Sequence, residues 1–267
     1  AHGDGRRGRA ISLKGNAIVT VTAVLFDLGG TLLHYIEPHT TFLEANLAGL
    51  TAMHGFLRRA GYRTPAGPDF ANAIGQFARE THRPLEAQGL GACVDDTFRQ
   101  ALSTLAINVT AADWPGALWC YYGAIQRFVL PVAGDAVGVL RSLSAAGLRL
   151  GLISNTWWSS ALHDADLGRA GMLEYLPVRI YSSQAGFMKP RAEIFQQALV
   201  AMGIRAAEAI YVGDRLLVDV GGAQAAGLRG VLIEVDHRVE QSADVQAAAR
   251  LRLINELPAL LAQWQRA

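Results

Sequence analysis

The chain has 267 residues, of which 51% are hydrophobic and 18% charged, and its formal net charge is +1. This composition is typical of a globular protein, with enough residues for one large domain or for a domain with an insertion. The balanced charge, with no basic patch interleaved with aromatic residues, argues against a nucleic-acid partner. Cys93 and Cys120 form no CxxC motif, which disfavours a disulfide framework or a zinc site and fits a reducing cytoplasm.

Residues 1–20 are polar and rich in glycine and arginine, and we expect them to form a mobile tail. Gly3 to Gly8 match the GxGxxG pattern, but no strand precedes them, so a phosphate loop is disfavoured. The apolar run at residues 17–26 is too short to span a bilayer and leads directly into a motif. We therefore expect a cytoplasmic protein without a membrane partner.

The predicted elements fall into two groups along the chain. Residues 21–26 read as a buried strand, and residues 35–129 then show helical spacing. Candidate helices in this stretch are residues 41–60, 69–83, 95–106 and 113–127. From about residue 132, short apolar strands alternate with amphipathic helices. The strands are residues 148–154, 178–182, 209–212 and 230–235, and the helices are residues 135–146, 158–170, 191–202 and 217–227.

This alternation predicts an α/β fold with a Rossmann-like parallel sheet that is covered by helices on both faces. We expect a core domain made of residues 21–34 and 130–267, with residues 35–129 inserted as a helical cap. Residues 130–134, LPVAG, read as the hinge by which the chain returns to the core.

Polar residues follow several of these strands, at the edge of a parallel sheet where ligands bind. Each has a plain structural interpretation: a helix cap for Ser154 and Asn155, a favourable helix N-terminus for Asp219, and an exposed lysine for Lys189. Asp27 and Asp214 are harder to explain in that way, because a carboxylate that closes a buried strand is costly unless it is paired or bound to a metal.

Four stretches together resemble the haloacid dehalogenase-like (HAD) hydrolase superfamily with a C1-type helical cap. They are FDLGGTL (26–32), LISNT (152–156), GFMKPRAEIF (186–195) and VGDRLLVDVGGAQAAG (212–227). The resemblance covers residues 21 to about 235. It implies a hydrolase, most often a phosphatase, with the cap closing over the active site.

The resemblance also implies roles for individual residues. Asp27 would be the nucleophile that forms an aspartyl-phosphate, and Lys189 would neutralise charge beside it. Ser154 and the backbone of Asn155 would bind the phosphoryl oxygens. The ligands of a Mg²⁺ cofactor would be Asp27, the Gly29 carbonyl and Asp214. Thr31 and Asp219 would be supporting residues.

One position departs from the family pattern. Phosphatases of this family usually carry a second aspartate, the general acid and base, where this chain has Gly29. General acid–base assistance is typically worth about 10²–10⁴ in rate. A phosphatase would therefore favour good leaving groups, or it would take its proton from His34, Glu37 or His39 in the cap linker.

Two alternatives remain. A 2-haloacid dehalogenase needs no such acid, because halide leaves without a proton, but those enzymes usually carry tyrosine at the Gly29 position and lack the Gly213–Asp214 pair. A catalytically impaired binding protein would not need Asp27, Lys189 and Asp214 together. A magnesium-dependent phosphatase acting on a small phosphorylated metabolite is the interpretation that fits best.

Two aromatic residues, Trp157 and Trp158, follow the second motif directly. They line a pocket for an aromatic or apolar leaving group, or they pack the cap against the core. The sequence does not decide between a monomer and a homodimer.

Overall fold

The computed structural model describes residues 21–35, 42–235 and 241–266. The expectations for the tail at residues 1–20, for Glu37 and for His39 lie outside the described residues.

A six-stranded sheet forms the centre of the fold, and every neighbouring pair of its strands is parallel. Its strands are β1 (Ala23–Phe26), β4 (Arg149–Ser154), β5 (Val178–Tyr181), β6 (Ala209–Gly213), β7 (Arg229–Ile233) and β8 (Ala249–Leu251). Their order across the sheet is β5-β4-β1-β6-β7-β8. The predicted α/β fold with a parallel core sheet is confirmed.

Strand β1 is central and buried on both faces. Val24 and Phe26 pack into the apolar cluster on one face of the sheet, and Ala23 and Leu25 pack into the cluster on the other. None of the four has measurable exposure. A strand in this position must be apolar at every residue, which explains the continuous apolar run in the sequence.

Ten α-helices accompany the strands in the described part of the chain. They are α1 (Phe42–Arg59), α2 (Gly67–Ala87), α3 (Val94–Thr104), α4 (Trp114–Gln126), α5 (Ala136–Ala145), α6 (Ser160–Arg169), α7 (Ser182–Ala185), α8 (Ala192–Met202), α9 (Gly222–Ala225) and α10 (Leu257–Arg266). Helices α5 and α10 cover one face of the sheet, and α8 covers the other. Within the described part of the chain, no helix is both long and apolar enough to cross a membrane.

Helices α1 to α4 pack around a second apolar cluster, to which Trp158 and Leu162, after β4, also belong. The chain enters this helical region through β2 (Leu33–His34) and leaves it through β3 (Leu130–Pro131), and these two short strands pair antiparallel. The entry and exit segments therefore lie side by side, at the position where the sequence predicts the hinge. The domain boundaries at residues 34/35 and 129/130 stay a prediction.

Several elements differ from the sequence prediction. The short strands β2, β3 and β8 and the helices α7 and α10 were not predicted. The single helix predicted for residues 217–227 is instead a π-helix, Leu216–Gly221, followed by the short α9. In addition, α2 runs through Pro84 to Ala87, because a proline near the end of a helix removes only one backbone hydrogen bond and leaves the final turn intact.

The central position of β1 predicts a large effect of truncation there. We expect Leu25→Ala to lower the free energy of unfolding by about 2–5 kcal/mol, because the substitution leaves a cavity and the packed neighbours on both sides of the strand cannot move in to fill it. The matched control is Leu43→Ala on α1, where the side chain is 64% exposed and a change within about 0.5 kcal/mol is expected. Urea denaturation followed by circular dichroism measures both, and equal losses would contradict the assignment of the core.

Candidate active site

The strand register brings the ends of β1, β4 and β6 to one edge of the sheet. Phe26 is in register with Leu152 on one side and with Val212 on the other. The residues that follow these three strands therefore emerge together, and they include Asp27, Ser154 and Asp214. All are almost fully buried, with exposed fractions of 5–6%.

Lys189 lies at the centre of the site, 4% exposed. Its ammonium donates to Asp27 Oδ1 at 2.5 Å, to Asp219 Oδ1 at 2.7 Å and to the Tyr211 hydroxyl at 2.7 Å. Tyr211 in turn donates to the carbonyl of Ile153 at 3.0 Å. Three oxygens from three segments thus satisfy the three ammonium hydrogens, so the amine is held in one position.

Asn155 fixes the backbone on which Lys189 stands. Its side-chain amide donates to the Lys189 carbonyl at 2.8 Å, and its side-chain oxygen accepts from the Lys189 amide at 2.7 Å. This two-bond clamp joins the turn after β4 to the segment before α8. The side chain of Asn155 is therefore a positioning group for Lys189, a contact that the sequence did not reveal.

Electrostatic balance at the site depends on these contacts. Burial raises the pKa of Asp27 to about 7, with the carboxylates of Asp219 and Asp214 acting in the same direction and Lys189 opposing them. Burial alone would lower the pKa of Lys189, but the carboxylates of Asp219 and Asp27 outweigh it and raise that pKa. Three carboxylates face one ammonium, so the buried cluster carries an excess of negative charge when all four groups are ionised.

That excess fits a cation. Asp27, Asp214 and Asp219 each offer a carboxylate oxygen, and these oxygens lie within 4.8 Å of one another. Mg²⁺ prefers one or two carboxylates together with water and substrate oxygens. Both oxygens of Asp219 already accept protein hydrogen bonds, from Lys189 and from the Arg215 amide. Asp27 Oδ1 likewise accepts from Lys189, while its Oδ2 has only a long contact of 3.4 Å with the Thr31 hydroxyl. The three carboxylates together are thus a candidate metal site.

Two glycines allow the acidic residues to approach the backbone. Gly30 has a φ of +90°, and a Cβ there would lie 2.5 Å from Asp214 Oδ2. A Cβ on Gly213 would lie 2.5 Å from the side chain of Asp219. Asp219 belongs to the π-helix, a distortion that is frequent at functional sites. Side chains larger than hydrogen at either glycine would displace a carboxylate.

Gly29 leaves a gap beside Asp27 that an aromatic residue borders. A Cβ on Gly29 would lie 3.8 Å from the Tyr35 ring, an ordinary contact distance. Tyr35 Oη lies 2.8 Å from His163 Nδ1, and His163 Nε2 lies 2.7 Å from Thr156 Oγ1. Burial lowers the pKa of His163 to about 3, so this imidazole is neutral at pH 7.

These groups surround a cleft of about 280 Å³. Asp27, Lys189 and Asp219 line it, together with Ser154 and Asn155 at the end of β4. Tyr35, Trp157, Trp158 and His163 line another part. The cleft is thus open to both the acidic cluster and an aromatic surface.

The structure brings most of the predicted site residues together. The Thr31 hydroxyl lies 3.4 Å from Asp27 Oδ2, and Gly29 lines the cleft. His34, a candidate proton donor, borders a separate cavity together with Gly30 and Thr31. Sequence reasoning missed Tyr211 and His163, because neither lies in a recognised motif, and a buried tyrosine or histidine is usual in a core.

A family model described as haloacid dehalogenase-like hydrolase matches residues 21–227. A ribulose-1,5-bisphosphate 5-phosphatase from Halopiger xanaduensis is 28% identical over 239 residues, which cover 86% of this chain and 92% of that protein. A phosphoserine phosphatase from Thermus thermophilus is 29% identical over 245 residues, which cover 86% of this chain and 94% of that protein.

Solved structures share the fold. A 2-haloacid dehalogenase from Pseudomonas syringae superposes with a TM-score of 0.66 at 19% identity, covering 92% of this chain and all of that one. A HAD phosphatase from Thermococcus onnurineus superposes with a TM-score of 0.58 at 22% identity, covering 90% of this chain and 98% of that one. At these identities the likeness concerns the fold alone.

The contacts of Lys189 predict a large loss of stability when its charge is removed. We expect Lys189→Met to lower the free energy of unfolding by about 3–5 kcal/mol, because two carboxylates stay buried without their counter-ion. Arg205→Met is the matched control: Arg205 also makes a 2.7 Å ion pair, with Glu208, but its side chain is 79% exposed. Loss of that surface pair should cost within about 1 kcal/mol. Denaturant titration of both variants measures the free energy of unfolding, and similar decreases in the two variants would contradict the prediction.

Proposed function

This chain belongs to the haloacid dehalogenase-like hydrolase family, and we propose that it is a magnesium-dependent phosphatase acting on a small phosphorylated metabolite. The observation that carries the proposal is the buried cluster in which Lys189 joins Asp27 and Asp219, with Asp214 beside them. Relatives that are named as phosphatases, among them those of Halopiger xanaduensis and Thermus thermophilus, support the same reaction class. Their printed substrates differ from each other, so they do not define the substrate of this chain.

Asp27 is the proposed nucleophile. Its carboxylate forms the bond to phosphorus as the ester bond breaks, and water then hydrolyses the aspartyl-phosphate to release phosphate and restore the carboxylate. Lys189 holds Asp27 in place and neutralises negative charge that accumulates on the phosphoryl oxygens. Ser154 and the backbone of Asn155 are the proposed donors to those oxygens.

Asp27, Asp214 and the carbonyl of Gly29 are the proposed ligands of Mg²⁺. When bound, the ion supplies further positive charge to the transferring phosphoryl group. Asp219 is assigned a supporting role, since its oxygens are engaged by Lys189 and the Arg215 amide. Thr31 supports the carboxylate of Asp27 from the same turn.

Dehalogenation is the second candidate, and Gly29 is the observation that favours it, because loss of the second aspartate does not impede halide departure. Against it stands Asp214, a buried carboxylate next to the nucleophile. Such a group would repel the carboxylate of a 2-haloacid unless a cation lay between them. Metal-independent halide release from a 2-haloacid would favour this alternative, and absence of both activities would favour an interaction protein.

Removal of the nucleophile tests the proposed function. We expect Asp27→Asn to reduce hydrolysis of 4-nitrophenyl phosphate in Mg²⁺ by on the order of 10³-fold or more, as for other essential nucleophiles. Asp135→Asn is the control, because Asp135 caps α5 away from the site and asparagine caps a helix equally well. Turnover that survives Asp27→Asn, or that persists in excess chelator, would show that the assigned mechanism is wrong.

Restoration of the missing acid gives a second test. The 3.8 Å contact with Tyr35 leaves room for a side chain at position 29. We expect Gly29→Asp to raise kcat for alkyl phosphates more than for aryl phosphates, by up to about 10²–10⁴, because alkoxides need a proton to leave. Gly29→Asn, of the same size but without an acid, should give no such gain. An equal gain for both ester classes would contradict the role assigned to this position.

A further inference from the structure

One side of the active-site cleft is made of aromatic rings. Tyr35, Trp157, Trp158 and His163, here called the aromatic wall, all line the cleft that contains Asp27 and Lys189. The ring centroids of Tyr35 and Trp158 lie 5.7 Å apart, those of Tyr35 and His163 5.1 Å, and those of Trp158 and His163 5.7 Å. These are packing distances for aromatic pairs, so Tyr35, Trp158 and His163 form one packed group, and Trp157, next to Trp158 in the chain, lines the same cleft.

Hydrogen bonds and stacking hold this wall in place. His163 is 2% exposed; both ring nitrogens have partners, Tyr35 Oη at 2.8 Å and Thr156 Oγ1 at 2.7 Å. The imidazole stacks on Tyr181 with a centroid distance of 5.2 Å and an interplanar angle of 15°. Thr156 Oγ1 also accepts from the Trp158 amide at 3.0 Å. A ligand would meet a preformed surface and would lose little affinity to side-chain ordering.

The wall is also uncharged. Indole and phenol rings carry no charge at neutral pH, and burial keeps the His163 imidazole neutral. Among the described residues that line the cleft, the cations are Lys189, in the acidic cluster, and Arg215, which is exposed. The four residues of the wall themselves therefore offer no counter-charge to a leaving group with its own carboxylate or phosphate.

The acidic side of the cleft points to the same class of leaving group. The carboxylates of the described lining, Asp27 and Asp219, are both ion-paired with Lys189. Gly29 offers no acid at the position next to Asp27. A phosphate ester is cleaved well in such a site when its leaving oxygen departs without a proton, as a phenolate does.

We propose that the aromatic wall is the leaving-group subsite and that the substrates are aryl phosphates with a small, uncharged aromatic ring. The inference rests on the proposed function, since it requires the phosphoryl group to lie at Asp27. The cleft volume of about 280 Å³ falls just below the range of about 300–1,000 Å³ that is usual for drug-sized ligands. It suits a phosphoryl group with one ring better than a nucleotide.

The reaction balances without an added acid. An Asp27 oxygen bonds to phosphorus while the bond from phosphorus to the aryl oxygen breaks. The electron pair of that bond leaves with the oxygen, and the phenolate takes its proton from solvent. Water then cleaves the aspartyl-phosphate, which yields phosphate and the free carboxylate and releases one proton to solvent.

Binding of two phosphonates tests the wall independently of turnover. Isothermal titration in Mg²⁺ compares phenylphosphonate with methylphosphonate, which share the phosphoryl group but differ in the ring. We expect wild type to bind the phenyl compound more tightly. Trp157→Ala should weaken that binding by about 2- to 10-fold, the range of one aromatic contact, and should leave methylphosphonate unaffected. Trp119→Ala, at a 44% exposed cap residue, is the matched control and should change neither.

The outcomes separate the two proposals. Equal affinity of wild type for both phosphonates would overturn the aromatic subsite, and this result needs no variant to fold.

Phosphate release from phenyl and cyclohexyl phosphate, two rings of similar size, tests the leaving-group argument. We expect kcat to be at least about 10²-fold higher for phenyl phosphate, the low end of acid-catalysis effects. Comparable kcat values would overturn that argument. A phenyl preference in binding without turnover of any ester would contradict the proposed function but not the subsite, and absence of binding and turnover would contradict both.

Discussion

The buried ammonium of Lys189 is the interaction on which the site depends. It joins a carboxylate that follows β1 to one in the π-helix after β6, and its third hydrogen goes to Tyr211. Without a cation there, Asp27 and Asp219 would repel each other in a place that water cannot screen. Lys189 is one of two lysines in a chain that has 22 arginines. A compact ammonium can donate to three converging oxygens, whereas a planar guanidinium could not fit among them in this way.

The fold supplies what the ion cluster needs, because its parts come from distant regions of the sequence. Parallel strands β4, β1 and β6 end at one edge, and this places Asp27 between Ser154 and Asp214. Asn155 then couples one strand end to the Lys189 backbone with two hydrogen bonds. Apolar burial of β1 on both faces thus fixes the position of Asp27, and core packing and site geometry are parts of one arrangement.

The sequence predicted the elements whose signals are local. Apolar strands, helical periodicity and polar residues after strands indicated the sheet, its helices and the edge where Asp27 and Asp214 lie. It did not predict β8, which has three residues, or the π-helix, because six residues are too few to show a periodicity different from that of an α-helix. It also missed the contacts of Tyr211 and His163, since hydrogen bonds across the fold depend on tertiary position and leave no trace in residue spacing.

The aromatic wall and the glycine at position 29 both keep further charged side chains away from the leaving group. An aspartate at position 29 would add a fourth carboxylate beside a cluster that already holds three, of which Asp27 and Asp219 are paired with Lys189. Glycine avoids that added negative charge, and the Tyr35 ring lies 3.8 Å from the point that a Cβ on Gly29 would occupy. The proposed site thus lacks a proton donor at position 29 and has an uncharged aromatic surface beside the leaving group. In the proposed mechanism, a phenolate would leave without a proton donor and an alkoxide would not, so the leaving group, rather than recognition of the phosphate, would set the range of substrates.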